Sequence, residues 1–390
     1  MMTTVIVGSG GAAMESVKAM RACGDASEIH MFTTAESPAL NPMLITYFLA
    51  GEIGYDDIFL FDLQKYNEYG VNIHAGSEIV KLDAFNKKVE NAAGEEMGYD
   101  NCIVCSGALP YIPEAYVDKE VFSIRSASDA LKLNERISAG KKALVAGASM
   151  IGVKVAEALM NRGMEVFLTD IQAQIFPLTA HENCARLIES ALETKGVRLL
   201  LGDIDPDFSS FDLIVVCTGV KPNIGFIDKT QVGTRNGILV DNCMRTNCSG
   251  LYAAGDCAEL SSTDSVYVAP GLWASARYMG RTAGSNAAGR SDICCEVARH
   301  NITHFFGVDF VSIGDANLGD DVFEMDNGGK YCRISWQDGR IMGINLLGMP
   351  EISGILRSQS LKSTELTAMA LGKVFGKYPL IKEAFVRRGG

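Results

Sequence analysis

Short runs of uninterrupted apolar residues recur along the chain, and most of them stop at a glycine. Val5 to Val7 runs into Gly8, Cys102 to Cys105 ends at Ser106 and Gly107, Ala143 to Ala146 at Gly147, Leu213 to Cys217 at Thr218 and Gly219, and Leu251 to Ala254 at Gly255. Runs this short, without polar alternation, predict strands buried on both faces, as in a parallel sheet flanked by helices. Two of them pass at once into helical spacing. Gly8-Ser9-Gly10-Gly11 opens AAMESVKA, and Gly147-Ala148-Ser149-Met150-Ile151-Gly152 opens a helix expected over Gly152 to Arg162. A strand, a glycine loop and a helix in that order form a pyrophosphate cradle: N–H groups at the helix N-terminus point at the anion, and a larger side chain would hold the backbone away from it.

Each cradle is followed by a second strand, Glu28 to Phe32 and Glu165 to Asp170. A loop and helix over Ser37 to Ile53 come next, and residues 71–106 read as short strands with turns at Gly76, Asn86 and Gly94. The pattern changes after about residue 296, where a strand near Val308 to Ile313 precedes GKYCRISWQDGRIMGINLLG, a hairpin turning at Gln337-Asp338-Gly339. The expected organisation is α/β: a first Rossmann-like domain over 1–110 and 240–295, a second inserted over 111–239, and a small α+β module over 296–390. The segment Gly255-Asp256-Cys257 is expected to open a helix.

Composition narrows the reading. The 35 basic and 47 acidic residues of the 390-residue chain give a net charge of -12, which argues against nucleic acid as a partner. The tail from Ile352 runs the other way, with Arg357, Lys362, Lys373, Lys377, Lys382, Arg387 and Arg388 against Glu365 and Glu383. Such a tail reads as a solvated face or as a means of steering an acidic partner. No apolar run is long enough to cross a bilayer, so a cytoplasmic protein is expected. The 11 cysteines then read as free thiols. Cys102 and Cys105 have metal-like spacing but point to opposite faces of a strand, Cys243 and Cys248 are spaced like a redox pair but fall on the entry to a strand, and vicinal Cys294 and Cys295 with lone Cys332 offer no metal-ligand pattern.

The order of an N-terminal glycine loop, the internal Gly147 to Gly152 loop, Thr218 to Asn223 (TGVKPN) and Gly250 to Ala258 (GLYAAGDCA) resembles the FAD-dependent pyridine nucleotide-disulfide oxidoreductases, in the rubredoxin-reductase and nitrite-reductase-like branch. The resemblance covers roughly residues 3 to 290. It implies two Rossmann-like dinucleotide-binding domains, one for FAD and one inserted for NADH. For FAD it implies Gly8, Gly10, Gly11, Ala12, Ser106, Gly107, Gly255, Asp256 and Trp273, the last of which reads equally as core. The place of the ribose carboxylate reads Thr33-Thr34-Ala35, with Glu36 the nearest acid, so that contact stays open. For NADH it implies Gly147, Ser149, Met150, Ile151, Gly152, Asp170 and Gly219. Asp170 favours NADH over NADPH, because it would accept ribose hydroxyls and repel a 2′-phosphate.

Three departures from the family stand out. Ser149 replaces the second glycine of the nicotinamide loop, so its Cβ must be tolerated beside the pyrophosphate, where its hydroxyl could donate a hydrogen bond, and weaker binding is expected. Lys154 stands where disulfide-reducing relatives carry a glutamate that pairs with a flavin-side lysine, and Met150 where they place a gating tyrosine; these are the candidate catalytic positions. The Ser37 to Ile53 segment offers Asn41, Thr46 and Tyr47 where those relatives carry redox cysteines, and no cysteine lies between Cys23 and Cys102. The expected activity is electron transfer from NADH through FAD to a rubredoxin- or ferredoxin-like protein or a partner redox subunit, with room for a homodimer. An electron-entry subunit of a larger complex, or a thiol-disulfide or peroxide reductase, is the alternative.

Overall fold

The computed structural model describes residues 2–35, 39–60, 64–202, 206–260, 271–294, 299–360, Tyr378 and Ile381. Glu36, Cys295 and every charged residue of the tail except Arg357 lie outside these. The chain opens with β1 (Thr3–Val7), α1 (Gly11–Ala22), β2 (Glu28–Thr33), the short α2 (Ile45–Ala50) and α3 (Gln64–Asn67), and β3 (Val71–Ala75). A meander of β4 (Ile79–Asp83), β5 (Lys88–Asn91) and β6 (Glu96–Gly98) leads to β7 (Asn101–Val104). The first parallel sheet takes its fifth strand from far along the chain, in the order β15-β7-β1-β2-β3, where β15 is Leu251–Ala253.

The insertion begins beyond β8 (Ala108–Pro110) and runs through α4 (Ala127–Arg136), β9 (Lys142–Ala146), α5 (Met150–Asn161), β10 (Glu165–Asp170), α6 (Glu182–Thr194), β11 (Arg198–Leu201) and β12 (Leu213–Val216). Its own parallel sheet has the order β11-β10-β9-β12. The chain returns through β13 (Val220–Pro222), which pairs antiparallel with β8 so that both crossovers run side by side. Ile224, Ile227, Val232 and Ile238 already pack in the first core, so the return falls at β13 rather than near residue 239. The physical reason is local. Leu82 bridges Ile227, and the Gln231 side chain accepts the Ala84 N–H at 2.8 Å, which fastens this stretch to the meander.

After β14 (Ile238–Val240) and β15, the turn through Asp256 and Cys257 enters β16 (Ala258–Leu260), which pairs with β14. No helix opens at Cys257; the expected one is replaced by this non-local pairing. Helix α7 (Trp273–Ala287) follows and lies on α1 at unusually close range. A Cβ on Gly280 would stand 2.1 Å from Ala12 O, and one on Gly284 2.2 Å from Ser16 O, so only glycine lets the two backbones meet.

The C-terminal module is a five-stranded antiparallel sheet, β17 (His300–Phe305), β18 (Val308–Gly314), β19 (Asp321–Asp326), β20 (Tyr331–Gln337) and β21 (Arg340–Leu347), with α8 (Ser353–Ser360) on it. Asp338 and Gly339 both have positive φ (50° and 73°) and form the two-residue turn expected between β20 and β21. Phe305, Phe310, Tyr331 and Leu347 of this sheet pack with α2 and the inserted domain in one continuous core. Among the described residues, no helix is long and apolar enough to cross a membrane.

Candidate functional site

The two glycine loops are built alike. Gly8 and Gly147 have φ of +107° and +108°, and a Cβ on either would lie within 2.4 Å of a carbonyl of the neighbouring strand, Cys105 O at 2.2 Å and Cys217 O at 2.4 Å. Each donates its N–H to the second strand of its sheet at 2.7 Å, Gly8 to Phe32 and Gly147 to Thr169. A Cβ on Gly152 would lie 1.9 Å from Gly147 O, so that glycine lets α5 close on its loop.

Their openings differ. Gly10 caps α1 with no side-chain acceptor and no acid in the first turn, and a Cβ there would meet nothing within 4 Å. The first loop therefore presents free N–H groups and empty space to an anion. Ser149 caps α5 instead: its hydroxyl accepts the Gly152 N–H and donates to Cys217 O, both at 3.2 Å. The hydroxyl is thus engaged within the protein on both sides. The second loop has one free N–H fewer than an uncapped helix end.

Register extends the comparison to the strand ends. Val7 pairs with Phe32 as Ala146 pairs with Thr169, which makes Thr33 the counterpart of Asp170. Asp170 accepts the Ala148 N–H at 2.8 Å and the Gln172 N–H at 2.9 Å. Thr33 shares a hydrogen bond with the Ser9 hydroxyl at 2.9 Å and accepts the Ala35 N–H at 3.1 Å. A threonine thus does in the first domain what a carboxylate does in the second. Tyr66, fully buried with its phenol pushed up by burial and then by Cys105, donates to Ser9 O at 2.8 Å and braces the same loop.

Around the first loop the distant segments converge. The Trp273 ring lies against Gly11, where a Cβ would approach to 2.8 Å, so Trp273 forms a wall of the loop as well as the start of α7. Ala12 is buried between Gly280 and Gly255, the latter with φ +83°. Ser106 donates to Asn223 O at 2.6 Å, and Gly107 O accepts the Asn223 N–H at 2.9 Å, tying the end of β7 to the return crossover. Gly219 O accepts the Tyr111 N–H at 2.9 Å at the other crossover.

Asp256 is not a lone carboxylate. Arg125 Nη2 stands 2.8 Å from its Oδ2, and a Cβ on Gly107 would come within 3.3 Å of the same guanidinium. Sequence reasoning missed Arg125; the signal beside it is the Ser126–Asp129 capping box that starts α4 and fixes where the arginine stands.

Met150 and Ile151 begin α5, Met150 against the core of the insertion and Ile151 56% exposed. One turn on, Lys154 lies 5.1 Å over the Tyr47 ring and 2.5 Å from Glu157. The Ser37 to Ile53 segment carries no lysine, and an acid three residues along α5 takes up the Lys154 charge.

The thiols near the loops are buried. Burial pushes the Cys217 thiol up to about 12 and raises those of Cys102, Cys105 and Cys257. Cys257 points its sulfur at Val104 O and Ala254 O, at 3.3 and 3.4 Å.

Residues 2–204 and 205–280 match the family described as pyridine nucleotide-disulphide oxidoreductase. The chain belongs to that family. It is an oxidoreductase of the kind that uses a pyridine nucleotide. It is 25% identical over 350 residues to an NADH-rubredoxin oxidoreductase of Clostridium acetobutylicum, covering 88% of this chain and 90% of that protein. The solved NADH:rubredoxin oxidoreductase of that organism has a TM-score of 0.81 at 23% identity, covering 94% of this chain and 97% of the other. An assimilatory nitrate reductase electron transfer subunit of Bacillus subtilis is 29% identical over 347 residues, covering 82% of this chain. The chain spans only 44% of that subunit's length.

Proposed function

We propose that the protein takes a hydride from NADH and passes its electrons, one at a time, to a small iron-containing carrier protein, with no cysteine relay at the flavin. When bound, FAD accepts two electrons together and releases them singly. The balance is one NADH and two oxidised carriers giving NAD⁺, two reduced carriers and a proton. The open cradle of Gly8, Gly10, Gly11 and Trp273 suits a resident dinucleotide. The self-capped loop of Gly147 to Gly152 suits one that must leave after every turnover.

The observation that carries the reading is the helix beside the nicotinamide cradle. Its buried Thr46 and exposed Tyr47 line one cleft with Lys154, and the chain has no cysteine from residue 24 to residue 101. A relay needs a low-pKa, accessible thiolate, and Cys105, Cys217 and Cys257 are buried with raised pKa values. The name of the Clostridium relative supports an iron protein as acceptor. Free thiols among the described residues, such as Cys23, Cys184, Cys243 and Cys332, suit the reducing cytoplasm.

The test is alkylation of accessible thiols followed by NADH-dependent reduction of a one-electron dye. Turnover should survive, and the two-electron-reduced enzyme should lack long-wavelength thiolate-to-flavin absorbance. That band, lost in Cys257→Ser, would return the chain to the disulfide-reducing members.

A second reading, an electron-entry subunit that binds FAD but needs a larger complex to turn over, is supported by the name of the Bacillus relative. Dye reduction by the purified chain alone separates the two.

A further inference from the structure

The side chain that receives the Lys154 charge also reaches a different part of the protein. Glu157 Oε2 lies 2.5 Å from the Lys154 ammonium, and Glu157 Oε1 accepts the Phe306 N–H at 2.5 Å. Phe306, with φ +49°, and Gly307 form the turn between β17 and β18, so one carboxylate joins the nicotinamide helix to the C-terminal sheet. Both partners of the ion pair are withdrawn from water, with 19% and 15% of their side chains exposed. They face Thr46 and Tyr47 of α2 across a narrow cleft that also touches Glu52 and Asn161.

A pair so placed is a poor stabilising device. Desolvating two charges offsets most of their attraction, and apolar residues of the same size would pack at least as well. What the pair does supply is a defined local charge. A lysine alone would leave a positive charge in a partly water-excluded cleft, and a glutamate alone a negative one, and either acts on a neighbouring redox group more strongly than it would in water. Together they nearly cancel, and the cation is fixed over the Tyr47 ring.

We infer that Glu157 is a positioning residue for the electron-transfer site, which holds the Lys154 ammonium over Tyr47, cancels its charge, and couples both to the C-terminal sheet through Phe306. The inference rests on the reading that FAD occupies the first cradle, with its redox-active end toward the cleft between α2 and α5. Reduction adds negative charge, which an unbalanced lysine favours and an unbalanced glutamate opposes. Lys154→Met and Glu157→Gln should therefore move the flavin midpoint potential in opposite directions.

The experiment is a potentiometric titration of the FAD-loaded protein for the wild type, Glu157→Gln, Lys154→Met, the double variant and Lys154→Arg, with flavin content and thermal melting recorded for each. The potential should rise in Glu157→Gln, fall in Lys154→Met, and return close to wild type in the double variant and in Lys154→Arg. Glutamine keeps an acceptor for the Phe306 N–H, so the melting temperature of Glu157→Gln should stay near wild type. Full flavin content with unshifted potentials, or a lowered melting temperature with no shift, overturns the inference and leaves the FAD reading intact. A wild-type chain that holds no FAD overturns both.

Discussion

Arg125 Nη2 lies 2.8 Å from Asp256 Oδ2, although 131 residues separate the two. Arg125 stands just before α4, whose Ala127, Ala130 and Leu133 pack in the core of the insertion, while Asp256 lies in the turn that follows the returning strand of the first sheet. The contact therefore ties one dinucleotide domain to the other. It also keeps a mostly buried carboxylate neutralised beside a loop that must accept an anion.

Arg125→Met should weaken FAD binding on the order of ten- to a hundredfold. It removes a charge-assisted hydrogen bond, typically about 1.5 to 3 kcal/mol, and leaves Asp256 to repel the pyrophosphate. Fluorescence titration of the apoprotein with FAD reads the change. Asp256→Asn in the same background should recover part of the loss, and equal affinity in wild type and Arg125→Met would show that the pair has no part in the cradle.

The contact of α1 with α7 makes a different kind of prediction. Gly284→Ala places a methyl where only 2.2 Å separates it from Ser16 O, and Gly280 is just as close to Ala12 O. Pushing the helices apart should cost about 2 to 3 kcal/mol. It should also shift the N-terminus of α1, so FAD retention falls with stability. Arg281→Ala, on the exposed face of the same helix, should change the melting temperature little. Equal melting temperatures for both variants would mean that the helices separate freely.

The strand, loop and helix units were legible because their signals are local. An apolar run ending in glycine specifies a buried strand and its turn, and Asp338-Gly339 specifies a hairpin, with no knowledge of the rest of the chain. What could not be read depends on partners far away. Cys257 was expected to begin a helix, yet Ala258–Leu260 becomes a strand because Ile238–Val240 lies alongside it. Arg125 and Glu157 look like surface charges until the fold places Asp256 and Phe306 beside them. Ser149 was recognised as a departure, but the direction of its hydroxyl depended on the Cys217 carbonyl of a later strand.

His300 gives the C-terminal module an acid sensitivity. Burial, and then the neighbouring Arg357, lowers its pKa from the ordinary 6.5 to about 4, and its Nε2 has no hydrogen-bond partner. The folded imidazole stays neutral while the unfolded one takes a proton near 6.5. Between about 6.5 and about 4 the unfolded chain binds more protons, so stability should fall as pH falls through that window. Urea unfolding at pH 7 and pH 5 should show a larger loss for wild type than for His300→Leu. Equal losses would place the acid sensitivity elsewhere.

Asp170 should make the protein prefer NADH. Its carboxylate is held at the end of β10 by the Ala148 and Gln172 N–H groups, at 2.8 and 2.9 Å, so it cannot swing away from an incoming ribose without breaking the glycine loop's own support. The next residue, Ile171, is 70% exposed and supplies no cation, and neither Gln172 nor Ala173 supplies one. A 2′-phosphate would meet like charge at about 4 Å, a cost of about 1 to 4 kcal/mol and a preference on the order of ten- to several-hundredfold in kcat/KM. Asp170→Asn removes the charge but keeps only one of the two acceptors, so it should narrow the preference while also lowering the rate with NADH. Asp170→Ala with Ile171→Arg should go further and reverse it, because the arginine supplies the missing phosphate contact. Steady-state kinetics with both nucleotides decide the matter: a wild-type kcat/KM for NADPH equal to or above that for NADH would remove Asp170 as the discriminating residue.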